Sequence, residues 1–300
     1  MPGDFVYGGI AGVRMDGGPF ELGDGLSVRP IYAHLMSHYL MAFKKPEAPG
    51  QSHPAPWVAA LGGRSFDIDV ELKVPTANPL GKKLSVNEVM WWIAALLRIG
   101  AFPNIAVVAV SDHPFDEISQ QTKPTIQSFE SIRRFGRTDE RHLDHDDLNW
   151  VKQKWLPAGK LFTQNKNFAA AMRAYDSASE HGRSAASMLA LWAAIEVIFT
   201  PTPGETRFRV ATMLASYLEP PGATRLETYK EILELYNVRS KAAHSAAGVE
   251  DGALLKSMIL ARNALVRMVD EIRVPTQQDL ENLAFIGAGA ATPSEGSQPG

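Results

Sequence analysis

From residue 148 to residue 283 the chain reads as a succession of amphipathic helices cut apart by proline and glycine, a pattern that a helical bundle satisfies. Apolar residues recur at helical spacing over about 148–156, 161–180, 183–200, 205–218, 223–242 and 250–273. Pro201, Pro203-Gly204, Pro220-Pro221-Gly222 and Gly248 fall between these runs. Short connections between helices of this length predict an antiparallel bundle. In the third run Met188, Trp192, Ile195 and Phe199 form the buried stripe, and Glu196 flanks it. A carboxylate there needs a partner, because an unpaired buried charge is costly. Its two available roles are a helix-to-helix salt bridge and the orientation of a cation such as Arg239 or Lys241. In the last run Leu255, Met258, Ile259, Leu265, Val266, Val269 and Ile272 are expected inward, with Arg262, Arg267 and Arg273 at or near the wet side.

Residues 1–147 have a different character. Phe5–Val13 and Leu26–Ile31 are short strand candidates separated by the turns at Gly17-Gly18 and Gly23–Gly25, and Tyr32–Phe43 is assigned to a helix. Ser65–Val74 alternates apolar and charged residues and reads as a half-buried strand. Ser85 and Glu88 form a capping box that opens a helix to Ile99, followed by a buried strand over Ile105–Val110. The expected fold class is therefore α+β: an N-terminal mixed α/β domain over 1–147, then an all-α helical bundle over 148–283. The Gly/Ala/Ser/Pro-rich residues 284–300 are expected to form a disordered tail.

Charge narrows the partners. The net charge of the 300 residues is −3, so there is no global basic field to attract nucleic acid. Residues 1–147 carry 14 Lys/Arg against 18 Asp/Glu, a net of −4; residues 148–283 carry 16 against 14, a net of +2. RNA affinity must come from a local patch, to which Arg207, Arg209, Arg239 and Lys241 contribute. There are no cysteines, which removes disulfides and thiolate metal sites. The N-terminus has no basic-then-apolar leader, and the apolar runs 90–110 and 185–200 are interrupted by polar residues. The expectation is a cytoplasmic protein with no membrane partner.

The pattern Arg-x4-His occurs three times, as Arg29/His34, Arg137/His142 and Arg239/His244. Pro30 follows Arg29 and disfavours a helical platform, and Arg137/His142 stands in a polar stretch with no apolar scaffold. Only Arg239/His244 follows a helix with a face ready to bury, carried by Leu226, Tyr229, Ile232, Leu233 and Tyr236. A guanidinium and an imidazole suffice to stabilise a phosphorane and to move protons. Five residues of regular helix rotate by about 500°, so the pair stands roughly 140° apart around the axis. Either the helix ends or distorts between them, or Arg239 of one chain works with His244 of another. The run Arg141-His-Leu-Asp-His-Asp-Asp147 admits a metal site through His142, Asp144, His145 and Asp147, but Asp146-Asp147 stands just ahead of an apolar-periodic helix, where acids cap. The helix-capping role is preferred, and no metal or cofactor is expected.

Three segments of the helical half, Ala190-Leu-Trp-Ala-Ala-Ile-Glu-Val-Ile-Phe199, Arg207-Phe-Arg-Val-Ala211 with Tyr217-Leu-Glu-Pro220, and Tyr236-Asn-Val-Arg-Ser-Lys-Ala-Ala-His244, occur in that order. They resemble the HEPN superfamily, and most closely its Apea-like branch, over roughly residues 150–275. The resemblance implies a dimerising helical bundle that, in active members, cleaves RNA without metal, with the Arg and His of two copies meeting at the dimer interface. Arg239 and His244 match the catalytic pair, Ser240 occupies the commonly polar position after the arginine, and Ser245 stands where this branch commonly has glycine.

The resemblance further implies a role in anti-phage defence or in a toxin–antitoxin pair, with a phage-derived or antitoxin partner. Glu196, Ser240 and Lys241 would support the catalytic pair, and Arg207 and Arg209 would bind RNA. Some relatives have lost activity and merely bind. The alternative is therefore a non-catalytic module whose N-terminal half senses a ligand while the helical half dimerises.

Overall fold

The computed structural model describes residues 3–36, 39–60, 66–119, 121–130, 141–180, 185–199, 206–244, 249 and 251–287; at positions 39, 40, 59, 60, 66, 179, 180, 244 and 251 the backbone alone is described. In chain order the elements are β1 (Phe5–Ala11), β2 (Arg14–Met15), β3 (Phe20–Gly23), β4 (Leu26–Leu35), β5 (Tyr39–Ala42), β6 (Trp57–Ala60) and β7 (Phe66–Pro75). Then come α1 (Val86–Gly100), β8 (Ala106–Ser111), β9 (Ile126–Ser128) and β10 (His142–Leu143). The rest is helical: α2 (His145–Gln164), α3 (Lys166–Glu180), α4 (Ala185–Phe199), α5 (Thr206–Leu218), α6 (Ala223–His244), α7 (Asp251–Glu271) and α8 (Gln277–Glu281), closed by a π-helical turn over Asn282–Ile286. The protein is thus α+β, with a sheet first and helices after it.

Six strands form one antiparallel sheet in the order β3-β4-β7-β1-β8-β9. Asp24 and Gly25, both at positive φ, make the tight turn that joins β3 to β4. Val70, Leu72 and Val74 of β7 are buried, as alternation predicts, but Glu71 between them is also buried. It accepts hydrogen bonds from Arg29 Nε at 2.7 Å and from the Phe115 N–H at 2.8 Å, which satisfies a carboxylate out of water.

The helix expected over Tyr32–Phe43 is not there. β4 continues to Leu35, pairing Ala33 with Ile68 and His34 with Asp67, and β5 follows. A bulge between Pro30 and Ala33 lets the strand pass a residue that has no N–H to donate, so the ladder resumes beyond the proline.

α1 opens on the expected capping box: Ser85 accepts from the Glu88 N–H while the Glu88 carboxylate accepts from the Ser85 N–H. The helix is buried on nearly every side, because the sheet covers one face and α2 and α7 cover others. β1 approaches it so closely that a Cβ on Gly8 would stand 2.6 Å from the Met90 sulfur, so only glycine fits there without repacking. Trp92 donates to the Trp155 carbonyl at 2.8 Å, Trp155 to the Leu22 carbonyl at 3.1 Å, and Arg262 of α7 to the carbonyls of Ile99 and Gly100. A single cluster of buried side chains consequently runs from Ile10 and Leu72 of the sheet through Trp92 and Trp155 to Trp192 and Leu265.

Arg98 of α1 is almost fully enclosed and lies 3.1 Å from Glu130 and 2.6 Å from Asp176 of α3; Asp176 also accepts from the Trp91 indole at 2.7 Å. This charged network inside the core ties the sheet to the helices that follow.

The helical run differs from expectation in two places. α2 starts at His145, with Asp144 as its N-cap and Asp147 closing a capping box. Asp146 and Asp147 lie in its first turn, and the helix passes through Pro157 to Gln164. Proline removes one backbone bond, but burial of Trp155, Ala158 and Phe162 on the same face holds the helix together. On α7, Leu255 and Ile259 are 46% and 48% exposed rather than inward. Met258, Leu265 and Val269 are buried as expected, and Leu254 and Ala261 complete the inner face in place of Leu255 and Ile259.

α4 is the central helix of this part, packed by α3, α5, α6 and α7. Among the described residues no helix is long and apolar enough to cross a membrane. Of the tail expected over 284–300, residues 284–286 belong to the π-helical turn; residues 288–300, with Pro201, Pro203-Gly204 and Gly248, lie outside the described residues.

Candidate functional site

α4 and α6 pack side by side and bring two charged residues together. Arg239 of α6 and Glu196 of α4 approach to 3.1 Å, with side chains 26% and 23% exposed. The salt bridge available to Glu196 is therefore formed, and the residue it meets is the arginine of the Arg-x4-His motif. Three residues before Arg239, and so on the same side of α6, Tyr236 places its ring 5.4 Å from the guanidinium carbon. The Tyr236 ring in turn meets Trp192 edge-on, with centroids 5.3 Å apart at 88°. The Trp192 indole donates to the Ser257 hydroxyl of α7 at 3.2 Å, so α4, α6 and α7 all support the cluster.

Burial pushes the Tyr236 phenol above its ordinary value, and the neighbouring Glu196 carboxylate pushes it further, so the hydroxyl stays protonated and able to donate. The Arg239 Nε–H is buried without an acceptor among the described residues. An arginine locked on one side by a carboxylate still keeps about a quarter of its surface open, through which an acceptor oxygen can reach the exposed part of the guanidinium.

α6 runs unbroken from Ala223 to His244, its last residue. The helix does not distort between positions 239 and 244, so the two stand about 140° apart around one axis. The His244 side chain lies outside the described residues, as does Ser245. Ser240 is half-buried and Lys241 exposed, both on the last turns of α6. Arg207 is exposed and Arg209 half-buried, on the first turn of α5. Between them Phe208 packs edge-on against Tyr229 with ring centroids 6.1 Å apart. Tyr229 precedes Arg239 by ten residues, about 15 Å of helix, so the α5 arginines stand off along α6 rather than beside Arg239.

The other two Arg-x4-His pairs are placed differently. Arg29 and His34 lie on a strand: Arg29 is held by Glu71 and Asp116, and His34 by Asp67 at 2.7 Å. His142 lies 3.0 Å from Asp16, and Arg137 is outside the described residues. Among the described residues no group of three or more His, Asp or Glu side chains is arranged to hold a metal ion. A surface groove of about 440 Å³ beside Asp16, Phe20, His142 and His145, and a cleft of about 260 Å³ beside Trp150 and Asp147, both lie away from Arg239 and Glu196.

In the sequence Tyr236 and Trp192 stand out as packing residues and as members of the resembling segments, not as members of the site. The signal that joins them to the site is spacing: Tyr236 and Arg239 are an i, i+3 pair, Trp192 and Glu196 an i, i+4 pair, and the two pairs face each other across α4 and α6. No family model, curated protein or solved structure matches the chain.

Proposed function

We propose that the chain is a metal-independent endoribonuclease of HEPN type, acting in anti-phage defence or a toxin–antitoxin pair as a homodimer through its helical half. The observation that carries the reading is the held guanidinium. Arg239 is fixed by Glu196 and Tyr236 on a helix and keeps about a quarter of its surface exposed. In this reading His244 removes the proton of the RNA's own 2′-hydroxyl, whose oxygen attacks the adjacent phosphorus, and a proton is returned to the departing 5′-oxygen. Arg239 binds the non-bridging oxygens as charge builds on them. Lys241 contacts a flanking phosphate, and Arg207 and Arg209 a more distant one along α6. Because positions 239 and 244 of one unbroken helix do not share a face, two copies would combine them, Arg239 of one with His244 of the other.

A second reading has an observation of its own. The Glu196–Arg239 ion pair is also what a purely structural clamp between α4 and α6 would look like. In that case the helical half only associates, and the N-terminal half recognises a ligand or phage component. Incubation of the purified protein with total RNA and EDTA separates the two. Fragments ending in 2′,3′-cyclic phosphate or 3′-phosphate support the enzyme; intact RNA favours the module.

A further inference from the structure

Six of the large apolar side chains left most open to solvent fall within 27 residues of the chain: Tyr32, Met36, Met41, Phe43, Trp57 and Val58, each more than half exposed. The last four belong to or adjoin the hairpin of β5 and β6. Its strands pair only with each other among the described residues, Met41 opposite Val58 and Ala42 opposite Trp57. An isolated two-stranded ribbon is marginal in water, and stability of its own requires more strands or a covered face. Open edges of natural sheets are usually guarded by charge or proline. β5 (Tyr-Leu-Met-Ala) and β6 (Trp-Val-Ala-Ala) contain no charged residue at all.

The two edges are not equivalent. Pro56, which has no N–H, stands directly ahead of β6, and the loop before it is pinned inward. The Trp57 indole donates to the His53 carbonyl at 2.9 Å, and the His53 ring lies 2.8 Å from the Lys44 carbonyl. β5 has no such guard within it. The next charges, Lys44 and Lys45, come only after its end.

We propose that β5 pairs antiparallel with β5 of a second copy, so that two hairpins form one four-stranded sheet across a two-fold axis. The pairing is self-complementary and closes after two copies, and it supplies the backbone partners that the β5 edge lacks among the described residues. It also sets the two Lys44-Lys45 pairs at opposite ends of the new ladder, so that no like charges oppose one another. A lipid surface would cover the same apolar side chains but offers no partners for open strand backbone. The surface is separate from α4 and α6, and the inference does not depend on the ribonuclease reading.

The absence of cysteine makes the test direct. Met41→Cys and Ala42→Cys are prepared singly, with Lys256→Cys on exposed α7 as control, and each is treated with diamide. Sedimentation velocity compares the wild-type chain with Met41→Lys, a change the fold tolerates because the side chain is exposed. The expected result is a disulfide-linked dimer for at least one of the two β5 variants and none for the control, with Met41→Lys halving the sedimenting mass. Absence of cross-linking at both positions overturns the proposal. So does a sedimenting mass that Met41→Lys leaves unchanged, an outcome that leaves association through the helical half standing. Wild-type protein that is monomeric and binds phosphatidylserine vesicles, with binding lost in Met41→Lys, assigns the patch to lipid and equally overturns it.

Discussion

Arg239 on α6 reaches Glu196 on α4 at 3.1 Å, and each side chain keeps about a quarter of its surface in water. That intermediate burial decides what removing one partner does. A fully enclosed pair costs about 3–5 kcal/mol to break and a surface pair about 0–1, so Arg239→Ala is expected to cost about 1–2 kcal/mol. Removing Glu196 as well relieves the stranded carboxylate, so the double variant Glu196→Ala/Arg239→Ala should be more stable than the sum of the singles implies, by about 1 kcal/mol. Urea titrations of the four proteins measure this. Strict additivity would mean the pair does not interact in solution.

The network around Arg98 is the contrasting case. Its guanidinium is almost wholly enclosed between Glu130 and Asp176, so Arg98→Ala leaves two buried carboxylates without their cation. The expected loss is about 3–5 kcal/mol, read as a fall in the urea midpoint at unchanged slope. A loss below about 1 kcal/mol would show that water reaches the network.

At the start of α1, Ser85→Ala removes the hydroxyl that accepts from the Glu88 N–H and should cost about 1 kcal/mol. The reciprocal bond is pH-dependent. The Ser85 N–H, donating to the Glu88 carboxylate, holds that carboxyl below its ordinary value of 4.5, with Arg173 lowering it further. A depressed carboxylate contributes stability above its unfolded value and loses it as pH falls through the folded one. The advantage of the wild-type chain over Glu88→Gln should therefore be present at neutral pH and fade in acid. A difference constant from pH 7 to pH 3 would contradict the assignment.

Where local chemistry decides the structure, it was legible in the chain. The Ser85/Glu88 capping box, the alternation over β7 and the helical run between prolines and glycines each follow from side chains within a few residues. The misreadings share a non-local cause. Tyr32–Leu35 is a strand because β7 offers a partner beyond the Pro30 bulge. Glu71 is buried because Arg29 and the Phe115 N–H meet it from distant parts of the chain. α2 survives Pro157 because the face carrying Trp155 and Phe162 is buried against α1 and the sheet. Of the candidate site, the Arg239 motif and the need of Glu196 for a partner were visible. That Tyr236 and Trp192 complete the cluster depended on how α4 packs on α6, which spacing along either helix alone does not specify.

The central claim rests on Arg239 and His244, and cleavage of RNA in EDTA by the wild-type chain, Arg239→Ala and His244→Ala tests it most directly, with the exposed His34→Ala and His142→Ala as controls. The account expects wild-type protein and both controls to yield fragments with cyclic or 3′-phosphate ends, and both site variants to yield none while circular dichroism shows them folded. Undiminished cleavage by His244→Ala, or RNA left intact by the wild-type chain, would contradict it.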